Sequence, residues 1–214
     1  MQTYMNDKFN INTNMRKRSG LSFSHMGIFV ADIQRMADFY SNVLDFTITD
    51  RGQLEGPHGP VELVFTSRDP DVHHQIVLVS GRPETIDFNV VNQISLMADS
   101  VETLQSFYRR LLVAPVTELM PVTHGNALSL YFRDPEGNRI ELYVDTPWYV
   151  SQPMRVPMPI ELPASELMAW AEKHARSLQG FRPRSQWRAE MAKLMGIEQE
   201  QAVADPSAGT TQPL

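Results

Sequence analysis

Two stretches of the chain carry the same succession of alternating and helical periodicity. Residues 21–30, "LSFSHMGIFV", alternate as a strand does, with Phe23, His25, Gly27 and Phe29 on one face and Ser24, Met26, Ile28 and Val30 on the other. The period then lengthens, and Ile33, Met36, Ala37, Tyr40 and Leu44 mark one apolar stripe of a helix. Strands are expected next at 46–49, 60–67 and 73–79, with the Gly/Pro-rich "GQLEGPHGP" read as a loop between the first two. "VNQISLMADSVETLQSFY" repeats the scheme at an offset of 68 residues, pairing His25 with Gln93, Phe39 with Phe107 and Tyr40 with Tyr108. The second copy predicts a strand at 90–97, a helical stripe of Val101, Leu104, Tyr108, Leu111 and Leu112, and strands at 115–120, 127–134 and 139–145. "RDPEGN" supplies a tight turn between the last two. The duplication predicts an α+β fold of two βαβββ modules, 21–80 and 88–145, related by a pseudo-twofold.

The flanks lack this pattern. Residues 1–20 read as a flexible arm and 197–214 as a disordered tail, both polar and without periodicity. Between them and the repeat, 146–196 form a Pro-rich extension ending in helices, "ASELMAWAEKHARSL" and "SQWRAEMAKLMG", in which no chemistry is legible. The extension is expected to pack over the fold or across a dimer contact, with Trp148 and Tyr149 as packing residues.

Composition narrows the partners. A net charge of −6 argues against nucleic acid or an anionic membrane surface. No apolar run is long enough to span a bilayer, and the N-terminus lacks the apolar core of a signal peptide, so a cytoplasmic protein is expected. With no cysteine, disulfides, thiolate metal sites and cysteine nucleophiles are excluded.

Strand alternation sorts the polar residues. Glu141 shares a face with Arg139 and Tyr143, and Tyr131 shares one with Ser129, whereas Ile140, Leu142, Leu130 and Phe132 face the helices. A curled mixed sheet would then line one cup with His25, Gln93, Glu141 and Tyr131. For each of these a plainer role exists: a hydrogen-bonded core histidine, a glutamine that only hydrogen-bonds across the cup, a solvated strand glutamate, a tethered tyrosine. His58 and His174 read as structural.

The paired βαβββ order, with "HMGIFVAD", the recurring "FY" and "LYFRDPEGNRIELY", resembles the vicinal oxygen chelate superfamily of glyoxalases, bleomycin-resistance proteins and extradiol dioxygenases, over about residues 21–145. The chain looks most like the type I extradiol dioxygenases. That resemblance implies His25 and Glu141 as metal ligands, His74 as an acid–base residue, and His124 and Tyr131 as further active-site groups. It also implies a second histidine ligand where this chain has Gln93, an amide in place of an imidazole. The implied cofactor is a divalent metal, Fe2+ first and Mn2+, Zn2+ or Ni2+ as alternatives. The implied reaction is cleavage of a small aromatic vicinal diol by O2, in a homo-oligomer such as a dimer. Two other readings stay open: a glyoxalase-like lyase or isomerase with His25, His74, Gln93 and Glu141 around a redox-inactive metal, and a non-catalytic binder of the bleomycin-resistance kind.

Overall fold

The computed structural model describes residues 20–197 other than His58, so the expectations for an arm at 1–20 and a tail at 197–214, but for their end residues 20 and 197, and for His58 lie outside the described residues. The first module runs β1 (Met26–Val30), α1 (Ile33–Asn42), β2 (Thr47–Gly56), β3 (Gly59–Ser67) and β4 (Ile76–Ser80). The second runs β5 (Ile94–Met97), α2 (Val101–Leu111), β6 (Thr117–Thr123), β7 (Ala127–Arg133) and β8 (Arg139–Asp145). An extension follows: β9 (Trp148–Tyr149), β10 (Val156–Pro157), α3 (Ala164–Arg176), β11 (Arg182–Pro183) and α4 (Arg184–Leu194). The architecture is α+β, as the periodicity predicts.

Each module forms its own mixed sheet. The order is β1-β4-β3-β2 in the first and β10-β6-β7-β8-β5 in the second. In both, the opening strand pairs parallel with the last, β1 with β4 and β5 with β8, which is the signature of the duplication. The helices start where a side chain can take up a free backbone N–H: Asp32 accepts from the Arg35 amide and Ser100 from the Thr103 amide. Their apolar stripes, Met36, Ala37 and Tyr40 on α1 and Val101, Leu104 and Leu111 on α2, are buried against the sheets. One hydrophobic cluster runs through both modules and into the extension at Trp148, Val150, Ile160 and Leu167.

Several boundaries depart from the expectation. The "GQLEGPHGP" stretch is not an open loop: β2 and β3 pair along it from Leu54↔Val61 to Gly56↔Gly59, making a long hairpin. Its residues are exposed on β2, so it lacks the apolar alternation that announces a strand. His73 and His74 precede β4, and Gln93 precedes β5, instead of lying within strands. Leu112 sits just past α2 and is 57% exposed, outside the buried stripe. Phe132, on the helix-facing side of β7, has no exposed surface. Phe132→Ala is expected to lower the unfolding free energy by about 3–5 kcal/mol through the cavity it leaves, measured by urea titration.

"RDPEGN" makes the predicted turn, and does more. The Asp134 carboxylate accepts from the Glu136 and Asn138 amides at 3.0 and 2.9 Å and from the Asn138 side chain at 2.8 Å. Gly137 takes φ 81°, a conformation costly for any side chain. The turn thus aims Glu136 at the first module, where its carboxylate accepts from the Ala31 and Asp32 amides at 2.8–2.9 Å, at the start of α1. That position is favoured by the positive end of the helix dipole. Arg82, leaving β4, donates to the Glu136 carbonyl at 3.0 Å and to Asn138 at 3.1 Å, and Asn89 of the linker donates to Asn138 as well. A second strut joins Arg110 of α2 to the Val43 carbonyl at 2.9 Å and Asp45 at 2.6 Å.

Candidate functional site

Glu141 is the centre of the polar face of the second sheet. It lies on β8 opposite Ser95 of β5 on one side and Tyr131 of β7 on the other, so three adjacent strands deliver side chains to one point. Glu141 is buried, an unusual place for a carboxylate unless it is hydrogen-bonded or holds a cation. One oxygen, Oε2, is held by Ser95 Oγ at 2.6 Å and by Gln93 Nε2 at 2.8 Å. The other, Oε1, has His124 Nε2 at 3.9 Å, beyond hydrogen-bonding reach.

His124 has one defined tautomer. Its Nδ1 lies 2.8 Å from the Met154 carbonyl, so this nitrogen carries the proton and donates. Nε2 is then the acceptor, and the Tyr131 hydroxyl donates to it at 3.0 Å. Burial, and then the Glu141 carboxylate, push the Tyr131 phenol up to about 12. Tyr131 therefore stays a hydrogen-bond donor at neutral pH. The Arg139 guanidinium lies over its ring, 4.4 Å from the centroid.

The extension is what fixes His124. Gln152 donates to the His124 carbonyl at 2.7 Å, and Trp148 Nε1 and the Thr146 hydroxyl both donate to the Gly125 carbonyl. Gly125 takes φ 72°, and a Cβ there would stand 2.3 Å from Val150, so only glycine lets the extension close onto this turn. These contacts were illegible in the sequence, because "SQPM" acts through backbone carbonyls and one exposed glutamine. Trp148 is buried and Tyr149 stacks on Trp187 at 5.5 Å, which fits the packing role expected of both. His174 stacks on Trp170 in α3, away from these groups in the contact network.

The first sheet carries a separate group. The His25 and His74 rings lie 4.2 Å apart between centroids, His73 Nδ1 is 2.8 Å from His74 Nδ1, and Phe65 packs against both His73 and His74. Desolvation, followed by the charges of His25 and His73, holds His74 below the ordinary histidine range. His74 is thus a neutral imidazole at pH 7, competent as a base or a ligand. His25 is exposed, with Ser24 Oγ 3.2 Å from its Nδ1.

Of the candidate site residues, the structure brings together Gln93, Glu141, Tyr131 and His124, and separately His25 and His74. Among the described residues no three His, Cys, Asp or Glu side chains are grouped to hold a metal ion. The donor types nevertheless suit a divalent cation: imidazoles beside one sheet, a buried carboxylate and an amide at the other. In the arrangement described, Gln93 turns its amide nitrogen to Glu141 and steadies the carboxylate; to act as a ligand the amide must present its oxygen instead.

The chain is 28% identical over 127 residues to biphenyl-2,3-diol 1,2-dioxygenase 2 of Rhodococcus globerulus, covering 58% of this chain and 62% of that one. It is 27% identical to biphenyl-2,3-diol 1,2-dioxygenase 3 of the same organism, covering 57% and 62%. The chain therefore spans under two thirds of either relative. Among solved structures, a glyoxylase/bleomycin resistance protein/dioxygenase domain from Frankia sp. EAN1pec is 20% identical with a TM-score of 0.49, covering 60% of this chain and all of that one. The fosfomycin resistance protein FosX from Listeria monocytogenes, complexed with Mn(II) and sulfate, is 19% identical with a TM-score of 0.43, covering 60% and 93%. The sequence profile of one family matches residues 22–142, from the first module through the linker to Leu142 of β8, and this chain belongs to the glyoxalase/bleomycin resistance protein/dioxygenase superfamily.

Proposed function

We propose that the protein is a metal-dependent dioxygenase that opens the ring of a small aromatic vicinal diol, with His25, Gln93 and Glu141 holding the divalent metal. The observation that carries this reading is Glu141: a buried carboxylate with one oxygen fixed by Ser95 and Gln93 and the other turned toward His124 and Tyr131. The match to two ring-diol dioxygenases supports the reaction class. When bound, a divalent metal supplies Lewis acidity to a vicinal pair of oxygens, and iron adds the redox chemistry that O2 requires. In the resting arrangement the one proton of the Tyr131 hydroxyl goes to His124 Nε2, and on substrate binding it turns to the charge developing on the substrate oxygens. His124 holds that hydroxyl in place, and His74, neutral at pH 7, takes a proton from the diol and returns it.

A second copy of the chain supplies the missing half in this reading. The first module of one copy faces the second module of the other, joining His25 and His74 to Gln93 and Glu141. Phe29, on the His25 face of β1, and Met97, on the Gln93 face of β5, are 64% and 67% exposed and are the apolar surface such a contact covers.

Oxygen uptake by metal-loaded protein on a panel of catechols tests the reaction. Uptake with at least one catechol is expected, and none with any would overturn it. His74→Ala is expected to lower turnover about 100-fold or more while metal content stays unchanged, as measured by metal analysis alongside kinetics. Loss of the metal in that variant would instead make His74 a ligand. The 4.2 Å contact between the His25 and His74 rings favours that second reading, a four-ligand site of the glyoxalase kind in which redox-inactive metals suffice.

A further inference from the structure

Arg139 is a cation on the site's own face with no acidic partner among the described residues. It lies on β8 two residues before Glu141, so the two side chains leave the same side of the strand. Arg133, directly opposite on β7, is engaged with Glu118 at 2.7 Å, and Arg184 and Arg182 of the extension pair with Asp145 and Glu190 at 2.7 and 2.9 Å. Among the described residues Arg139 has neither an ion pair nor a side-chain hydrogen bond, and its recorded partner is the Tyr131 ring. A half-buried guanidinium left without an anion keeps its donors for something else, and the stacking on Tyr131 holds its plane in place without consuming them.

We infer that Arg139 binds a carboxylate of the substrate, making the preferred substrate an aromatic vicinal diol that carries a carboxylate across the ring from its hydroxyls. The inference rests on the dioxygenase reading for the diol, and on geometry for the anion. Residues two apart on a strand stand about 7 Å from each other, which suits a carboxylate on the far side of a ring better than one beside the hydroxyls. The guanidinium fork matches a carboxylate with two parallel hydrogen bonds, and Tyr131 beneath it offers an aromatic wall.

The test uses 3,4-dihydroxybenzoate, benzoate and catechol with the full-length protein and with Arg139→Gln and Arg139→Lys. Binding to metal-free protein is read by the intrinsic Tyr/Trp fluorescence, and turnover by oxygen uptake. Arg139→Gln is expected to weaken 3,4-dihydroxybenzoate and benzoate about 10- to 100-fold, raising KM more than it lowers kcat, with catechol unchanged. Arg139→Lys is expected to recover part of the loss and guards against misfolding of the glutamine variant. Equal loss for catechol and the carboxylates would make Arg139 a support for Tyr131 and overturn the inference, as would wild-type affinity for benzoate in both variants. Benzoate carries no diol, so Arg139-dependent binding of benzoate together with no oxygen uptake on catechol or 3,4-dihydroxybenzoate would sink the dioxygenase reading and leave the anion site standing.

Discussion

Glu141→Gln is expected to reduce metal affinity by more than about 100-fold and to abolish turnover, with the fold intact. Glutamine keeps the volume of the buried side chain and still accepts from Ser95, so thermal unfolding should stay close to that of the parent. Its amide lacks the negative charge that a divalent cation requires of this position. Calorimetric metal titration checks the affinity; a variant that binds metal as tightly as the parent would remove Glu141 from the site. The same variant reports on assembly. His25→Ala should also be inactive, since its imidazole lies on the other sheet. If each site draws one module from each copy, mixing the two dead proteins regenerates about a quarter of the wild-type sites, because half the dimers are mixed and each has one unaltered pair of modules. If both modules of a site belong to one chain, mixing restores nothing.

Glu136→Ala is expected to cost about 3–5 kcal/mol of stability, measured by chemical denaturation. The Glu136 and Arg82 side chains are only 8% and 11% exposed, so removing the carboxylate leaves a buried cation without its counter-charge. It also leaves two amides at the start of α1 without their acceptor. Glu136→Gln, which retains an acceptor oxygen, should lose less. Equal stability of the alanine variant would mean that the joint between modules contributes little to folding.

How much of this was readable beforehand follows from how each feature is encoded. The duplication was, because helix and strand periods are local, and a 68-residue echo of both leaves little choice of topology. Glu141 and Tyr131 could be assigned to one face because β7 and β8 alternate without a bulge. The long β2–β3 hairpin could not, since an exposed ribbon buries no stripe for the pattern to show. Nor could the clamp at Glu136: sequence identifies "DPEGN" as a turn, but not that its glutamate caps a helix 104 residues earlier. The tautomer of His124 rests on the Met154 carbonyl, a group every residue possesses, so no residue type announces it. That His25 and Glu141 serve one point came from the resemblance, which left open whether the two modules of a site belong to one chain or two; within the chain the His25 and His74 rings meet beside one sheet and Glu141 lies on the other.

The linker between modules is fastened at Arg82 and Asn89 to the very turn that carries Glu136. A polypeptide tied down this way cannot hand its second half to a neighbour by strand exchange without tearing those bonds. In the proposed dimer the two protomers then meet as finished bodies and part again without melting. Catalytic competence would rise and fall with protein concentration while each protomer stayed native throughout.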